Sequence, residues 1–194
     1  EPMVGDHLIP YLQRRFDVHP PGCALTVRFV GLGQSAIDQA LDEHVPLPDD
    51  IILSSQFDGS RVDFTFALPH DTAADRARLE TLRRRIDSCL HESIYAFDNA
   101  SLEAVVLRLL RTGNATVALA EVATGGALAL GLGAENEGAA AIAGAFVAPS
   151  EERLRRLLRV PDAAWRACAS SDDRARLLAG ETARGAGADW GVAM

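Results

Sequence analysis

Residues 120–126 read AEVATGG. The apolar run TVALAEVA enters this stretch, and a long Ala/Gly-rich segment leaves it. A strand that feeds a helix through a Thr-Gly-Gly turn suits an anion. Thr124 can cap the helix, Gly125 and Gly126 let backbone approach a ligand, and the first-turn N–H groups favour a phosphate. A tight turn that needs glycine only for its geometry has the same spelling. Glu121 ends the apolar run, where a carboxylate must be solvated in a cleft or paired, because burying it alone is costly. It is a candidate for orienting a ligand or for an ion pair with an arginine. Val122 and Ala123, between the acid and the turn, carry no atom that can attack a substrate.

Other residues with chemical potential read as structural. Ser150 precedes Glu151-Glu152, the pattern of a helix N-cap with acids in the first turn. Ser170 with Asp173 three residues on has the spacing of a capping box. Gly31-Leu32-Gly33 lacks the third glycine of a dinucleotide fingerprint and reads as a turn. Cys168 has no histidine in its half of the chain to activate it.

Composition narrows the chemistry further. All nineteen bases are arginine, which excludes lysine Schiff bases, Ser-Lys dyads and a Walker-type lysine. The five histidines lie in the first half, and the second half has no His, Lys or Tyr. Three widely spaced cysteines suggest reduced thiols and a cytoplasmic protein, with no disulfide framework, metal site or cofactor motif. The net charge is −8, and residues 1–99 hold most of it at −7. Phosphate-backbone binding needs concentrated positive charge, so nucleic acid is disfavoured; Arg83, Arg84 and Arg85 are the one candidate basic face. Acids interrupt the Ala/Gly-rich region, so it reads as buried core and not as a membrane span.

The positioning elements follow from periodicity. HLIPYLQRRF is a short apolar lead-in ended by His19-Pro20-Pro21-Gly22. Residues 23–98 then read strand, helix, hairpin, helix. Leu25, Val27 and Phe29 alternate, and Ile37, Ala40, Leu41 and Val45 recur at helical spacing. Asp58-Gly59-Ser60 turns IILSSQF into RVDFTFAL, and Leu79, Leu82, Ile86 and Leu90 mark the second helix. This is a small α+β sandwich. From about Asn99, helices and strands alternate and predict an α/β layered domain with a largely parallel sheet. Its first helix carries the stripe Leu102, Val105, Val106, Leu109 and Leu110, and Leu154, Leu157 and Leu158 point inward from a later one.

These segments, in this order, resemble the CinA family (competence/damage-inducible protein A). Its members join a molybdopterin-binding-like domain, a KH-type domain and a C-terminal nicotinamide-nucleotide amidase domain. EPMVGDHLIPYL resembles the end of the first. FVGLGQSAIDQAL and HESIYAFDNASLEAVVLRLL resemble the second and its joint to the third. ALAEVATGGALA, FVAPSEERLRRLLRV and GAGADWGVAM resemble successive parts of the third. The resemblance implies that residues 1–22 are the tail of an absent domain, 23–98 a KH-type domain, and 99–194 an amidase-like domain. The family's next segment, Thr-Gly-x-Ala-Gly-Pro, is expected beyond Met194, so the third domain is expected to be truncated.

In amidase-competent members the turn motif is Glu-Ser-Cys/Ala-Thr-Gly-Gly, and its serine deamidates nicotinamide mononucleotide. Here Glu121, Thr124, Gly125 and Gly126 match, while Val122 takes the serine's place. A second motif, Tyr-Ser-Asn-x-x-Lys, aligns so that Ser150 is kept and Pro149, Glu151 and Leu154 replace the other three. The resemblance therefore implies a degenerate amidase domain with no catalytic residue, acting as a scaffold, nucleotide-binding or dimerisation module. Its ligand set is Glu121, Thr124, Gly125, Gly126 and Ser150, with a nicotinamide nucleotide and a homodimer as expected partners. Two other readings stand beside it. One is an active deamidase with relocated groups, such as a water held by Glu121. The other is nucleic-acid binding by the middle domain, although no Gly-x-x-Gly loop occurs there.

Overall fold

The structure, a computed structural model, describes residues 3–16, 22–135 and 138–194. It divides into two units, Glu1–Asn99 and Ala100–Met194. At the N-terminus a π-helical turn, Val4–Leu8, runs into α1 (Ile9–Phe16), and neither contains a buried residue. The expected break at His19-Pro20-Pro21 lies outside the described residues.

The first unit continues as β1 (Cys23–Val30), α2 (Gln34–His44), β2 (Ile52–Asp58), β3 (Arg61–Leu68), α3 (Ala73–Leu90) and β4 (Ile94–Ala96). The sheet order is β2-β3-β1-β4 with antiparallel neighbours throughout. This is the split βαβ arrangement, β-α-β-β-α-β. The α+β expectation is met at that level; a KH-type identity is narrower than this topology. The alternating residues Val27, Phe29, Val62, Phe64, Phe66 and Leu68 pack with Ile37, Leu41, Leu79, Leu82 and Ile86. Thr72 caps α3 by accepting from the Asp75 N–H at 3.1 Å. The fourth strand, Ile94–Ala96, was not foreseen. Three residues give no readable period, and only pairing with β1 makes them a strand.

The second unit holds α4 (Leu102–Thr112), β5 (Val117–Val122), α5 (Ala127–Gly133), α6 (Gly138–Ala141), β6 (Ile142–Ala148), α7 (Glu151–Leu157), α8 (Asp162–Ala167), α9 (Ser171–Ala186) and β7 (Trp190–Ala193). Its sheet is parallel in the order β6-β5-β7, as the alternation of helices and strands predicts. The chain leaves β5 toward one side and crosses back to the other, so helices cover both faces. Val117 and Leu119 face Leu107, Leu132 and Ala141; Ala120 faces Ala148, Leu154, Val160 and Leu178.

Two helix faces differ from expectation. On α4 the buried residues are Val105 and Leu107, while Val106 and Leu109 are exposed. LEAVVLRLL carries two competing apolar stripes, and the chosen one includes Glu103, which lies against the side-chain-free surface of Gly131. On α7 Leu154 is buried but Leu157 is 57% exposed. Arg155 turns inward instead, its guanidinium 5.8 Å from the Trp165 ring centre and paired with Glu152 and Asp162.

Strand β7 packs closely on α9 at Gly191. A Cβ on Gly191 would overlap the Ala179 carbonyl oxygen and press on the Ala183 methyl at 3.1 Å. Backbone cannot yield as a side-chain tip can, so Gly191→Val should cost about 2–3 kcal/mol. Both tryptophans, Trp165 and Trp190, lie in this unit, so urea unfolding followed by their fluorescence reads it directly. A midpoint equal to wild type would contradict the packing.

Candidate functional site

Strand β5 ends at Val122 between its two neighbours. In open parallel sheets ligands bind outside the carboxyl ends of the strands, where the chain path reverses. The edge here is pinned by backbone bonds: Val122 N–H donates to Met194 O at 2.9 Å and Ala123 N–H to Ala148 O at 3.0 Å. The turn itself is left-handed at Ala123 (φ 60°), Gly125 (φ 68°) and Gly126 (φ 89°). The glycines adopt this freely, whereas Ala123 pays about 1 kcal/mol for its Cβ.

Glu121 explains how that strain is held. Its side chain has 0% exposed surface, yet it carries a carboxylate. The Thr124 hydroxyl donates to Oε2 at 2.5 Å, the Leu128 N–H to Oε2 at 3.0 Å and the Ala129 N–H to Oε1 at 2.8 Å. Leu128 and Ala129 belong to the first turn of α5, whose cap residue Gly126 has no side chain. Glu121 thus acts as the missing cap from across the turn, and its charge meets the positive end of the helix. Burial pushes the Glu121 carboxyl up, but the Thr124, Ala129 and Leu128 bonds outweigh it and hold it below its ordinary value.

The sequence identified Glu121 as needing either a cleft or a partner. The partner is main chain and Thr124, not arginine. The two N–H groups at Leu128 and Ala129, counted in the sequence reading among phosphate donors, are taken by the chain's own carboxylate. Thr124 also accepts from the Gly126 N–H at 3.2 Å, so its hydroxyl joins the acid to the turn.

Ser150 lies two residues past the end of β6, which pairs with β5 up to Val122–Ala148. It therefore shares an edge with the Thr-Gly-Gly turn. Its hydroxyl accepts from the Arg153 N–H at 3.4 Å as the cap of α7. Ser170 and Asp173 form the capping box of α9 as spaced. Val122 is half-buried on the opposite face of the sheet from Glu121, against the cluster that holds Phe146, Leu154 and Trp165. The chemically competent groups missed in the sequence are Arg155 and Arg174, which both stack on Trp165. Nothing in the local spacing of DAAWRA signals that meeting point.

A group whose folded pKa is depressed stabilises above its ordinary value and loses that contribution as pH falls through the folded value. Wild type should therefore exceed Glu121→Gln in stability by about 2 kcal/mol at neutral pH. The gap should persist down to the ordinary carboxyl value of 4.5 and close below it. Tryptophan-detected unfolding across pH measures this; a gap independent of pH would contradict the charged cap.

Comparison with known proteins agrees with this architecture. Residues 99–194 match the family described as CinA C-terminal domain. A putative competence-damage inducible protein of Symbiobacterium thermophilum is 30% identical over 196 aligned positions, covering 100% of this chain and 46% of the relative. A CinA-like protein of Synechococcus sp. is 29% identical over 190 positions, 96% of this chain and 45% of the relative. A putative competence-damage inducible protein of Caldicellulosiruptor saccharolyticus is 28% identical over 129 positions, 65% and 30% respectively. The chain spans less than half the length of these curated relatives. With the turn motif, the parallel sheet that presents it and the matched domain in agreement, residues 99–194 belong to the CinA C-terminal domain family.

Proposed function

We propose that residues 99–194 form a non-hydrolytic CinA-type domain, a scaffold that keeps the amidase turn without the groups that cut an amide. The observation that carries this reading is Val122 at the position of the nucleophile. Amide hydrolysis through a covalent intermediate needs an attacking oxygen or sulfur, a proton acceptor and a stabiliser of the oxyanion. Val122 supplies no attacking atom, and Pro149, Glu151 and Leu154 stand where the family's second motif has Tyr, Asn and Lys.

The burial of Glu121 speaks against relocated chemistry. A general base must reach a water or substrate, and this carboxylate is unexposed with both oxygens engaged. A nicotinamide nucleotide that still binds would lie on Thr124, Gly125, Gly126 and Ser150 at the carboxyl edge. It would do so without the Leu128 and Ala129 amides, so its phosphate affinity would be weak.

Ammonia release from nicotinamide mononucleotide is the test. We expect none above buffer background from the wild-type chain, and none from Val122→Ser, because one hydroxyl restores neither the proton acceptor nor the missing charge. Turnover that scales with wild-type protein concentration would overturn the reading. Calorimetry with the same nucleotide separates a binding scaffold from one that ignores it.

A further inference from the structure

The arginine run on α3 resolves into three different situations. Arg83 and Arg84 both donate to Glu80, at 2.8 Å and 3.2 Å, and the pair holds the Glu80 carboxyl down at about 2. Arg83 also lies 5.0 Å from the Phe97 ring centre. Two of the three arginines therefore share one acidic partner on their own helix. Arg85 has no carboxylate partner among the described residues, and it lines a cavity.

That cavity, about 300 Å³, lies between the α2–β2 connection and α3. Pro46, Pro48, Ile51 and Leu82 give it an apolar lining, Ala77 and Thr81 stand along the helix, and Arg78 and Arg85 are its charged residues. No acid lines it. The Thr81 hydroxyl is already committed to the Ala77 carbonyl at 2.9 Å. Arg78 is neutralised from outside the cavity by Asp50 at 2.6 Å and Asp75 at 3.4 Å. One arginine without a carboxylate partner among the described residues thus lines an apolar hollow, and the fixed φ of two prolines helps keep the hollow formed without ligand.

We propose that this cavity binds a small amphipathic carboxylate: a free acid whose compact apolar body lies on Pro46, Pro48, Ile51 and Leu82 and whose carboxylate takes Arg85. A planar fork that matches a carboxylate is what a guanidinium offers. The volume is at the lower end for small-molecule sites and fits a body of about one ring. A doubly charged phosphate ester suits it less well, because its second charge would meet Asp50 and Asp75 behind Arg78. The proposal concerns the first unit alone and stands whether or not the CinA domain hydrolyses anything.

The test is a ¹H–¹⁵N NMR titration of the full chain at low salt with sodium benzoate, and with benzamide as the uncharged counterpart. Benzoate should shift the amides of Ile51 and of residues 77–85 saturably, with benzamide about tenfold weaker for want of the charge-assisted bond. Arg85→Gln should reduce benzoate to the benzamide level. Arg84→Gln, on the same helix but outside the cavity, should leave affinity unchanged. Ala77→Leu should fill the hollow and remove binding of both, while a dispersed spectrum shows that the variant is folded. Absence of saturable shifts with benzoate, shifts that map elsewhere, or wild-type affinity in Arg85→Gln would each overturn the proposal.

Discussion

A carboxylate with no surface exposed to water must find its solvation inside the protein. Glu121 finds it in one hydroxyl and two helix amides, and the second unit is organised around that exchange. The bonds join the end of β5 to the start of α5 across a turn with three left-handed residues, one of them an alanine. They supply a cap to a helix that begins on glycine and fix the direction in which α5 leaves the sheet. Thr124 is the hinge of the arrangement, donating to the acid and accepting from Gly126. The Thr-Gly-Gly motif is thereby explained as architecture before any ligand is invoked.

The same solution recurs at two later helix starts of this unit. Ser150 caps α7 with Glu151 and Glu152 in its first turn, and Ser170 and Asp173 cap α9 with Asp172 beside them. Helix N-termini at the carboxyl edge of a parallel sheet are where α/β proteins gather anions. Here α7 and α9 meet that tendency with Ser150 and with Ser170 and Asp173, and α5 with Glu121 from β5. Val122, whose side chain has no attacking atom, and the internal engagement of the helix N–H groups by Glu121 are independent features that favour the proposed scaffold.

Much of this was legible in the sequence because it rests on local rules. The alternation along RVDFTFAL and the caps at Ser150 and Ser170 depend on residues within a few positions of each other. What escaped depends on distant partners. Glu121 was recognised as a residue in need of a partner, but its amides lie seven and eight positions on, set by the curvature of the turn. The buried face of α4 could not be chosen from hydrophobicity, because LEAVVLRLL offers more than one apolar stripe. Leu157 lost its place to Arg155 because Trp165, in a helix that the spacing did not announce, offers a ring for the arginine to lie on. In the Arg83–Arg85 run, Glu80 is at helical pairing distance from Arg83 and Arg84 but not from Arg85, and it binds the first two together.

The tie between β5 and α5 is tested most directly by amide hydrogen exchange at Leu128 and Ala129. First-turn amides have no carbonyl partner within their own helix and exchange rapidly unless a cap engages them. If Glu121 holds them as described, both should be protected to the level of β5 core amides such as Leu119 at neutral pH. Exchange at the rate of solvent-exposed amides, with β5 still protected, would show that the carboxylate does not cap α5, and the account of this turn would fail.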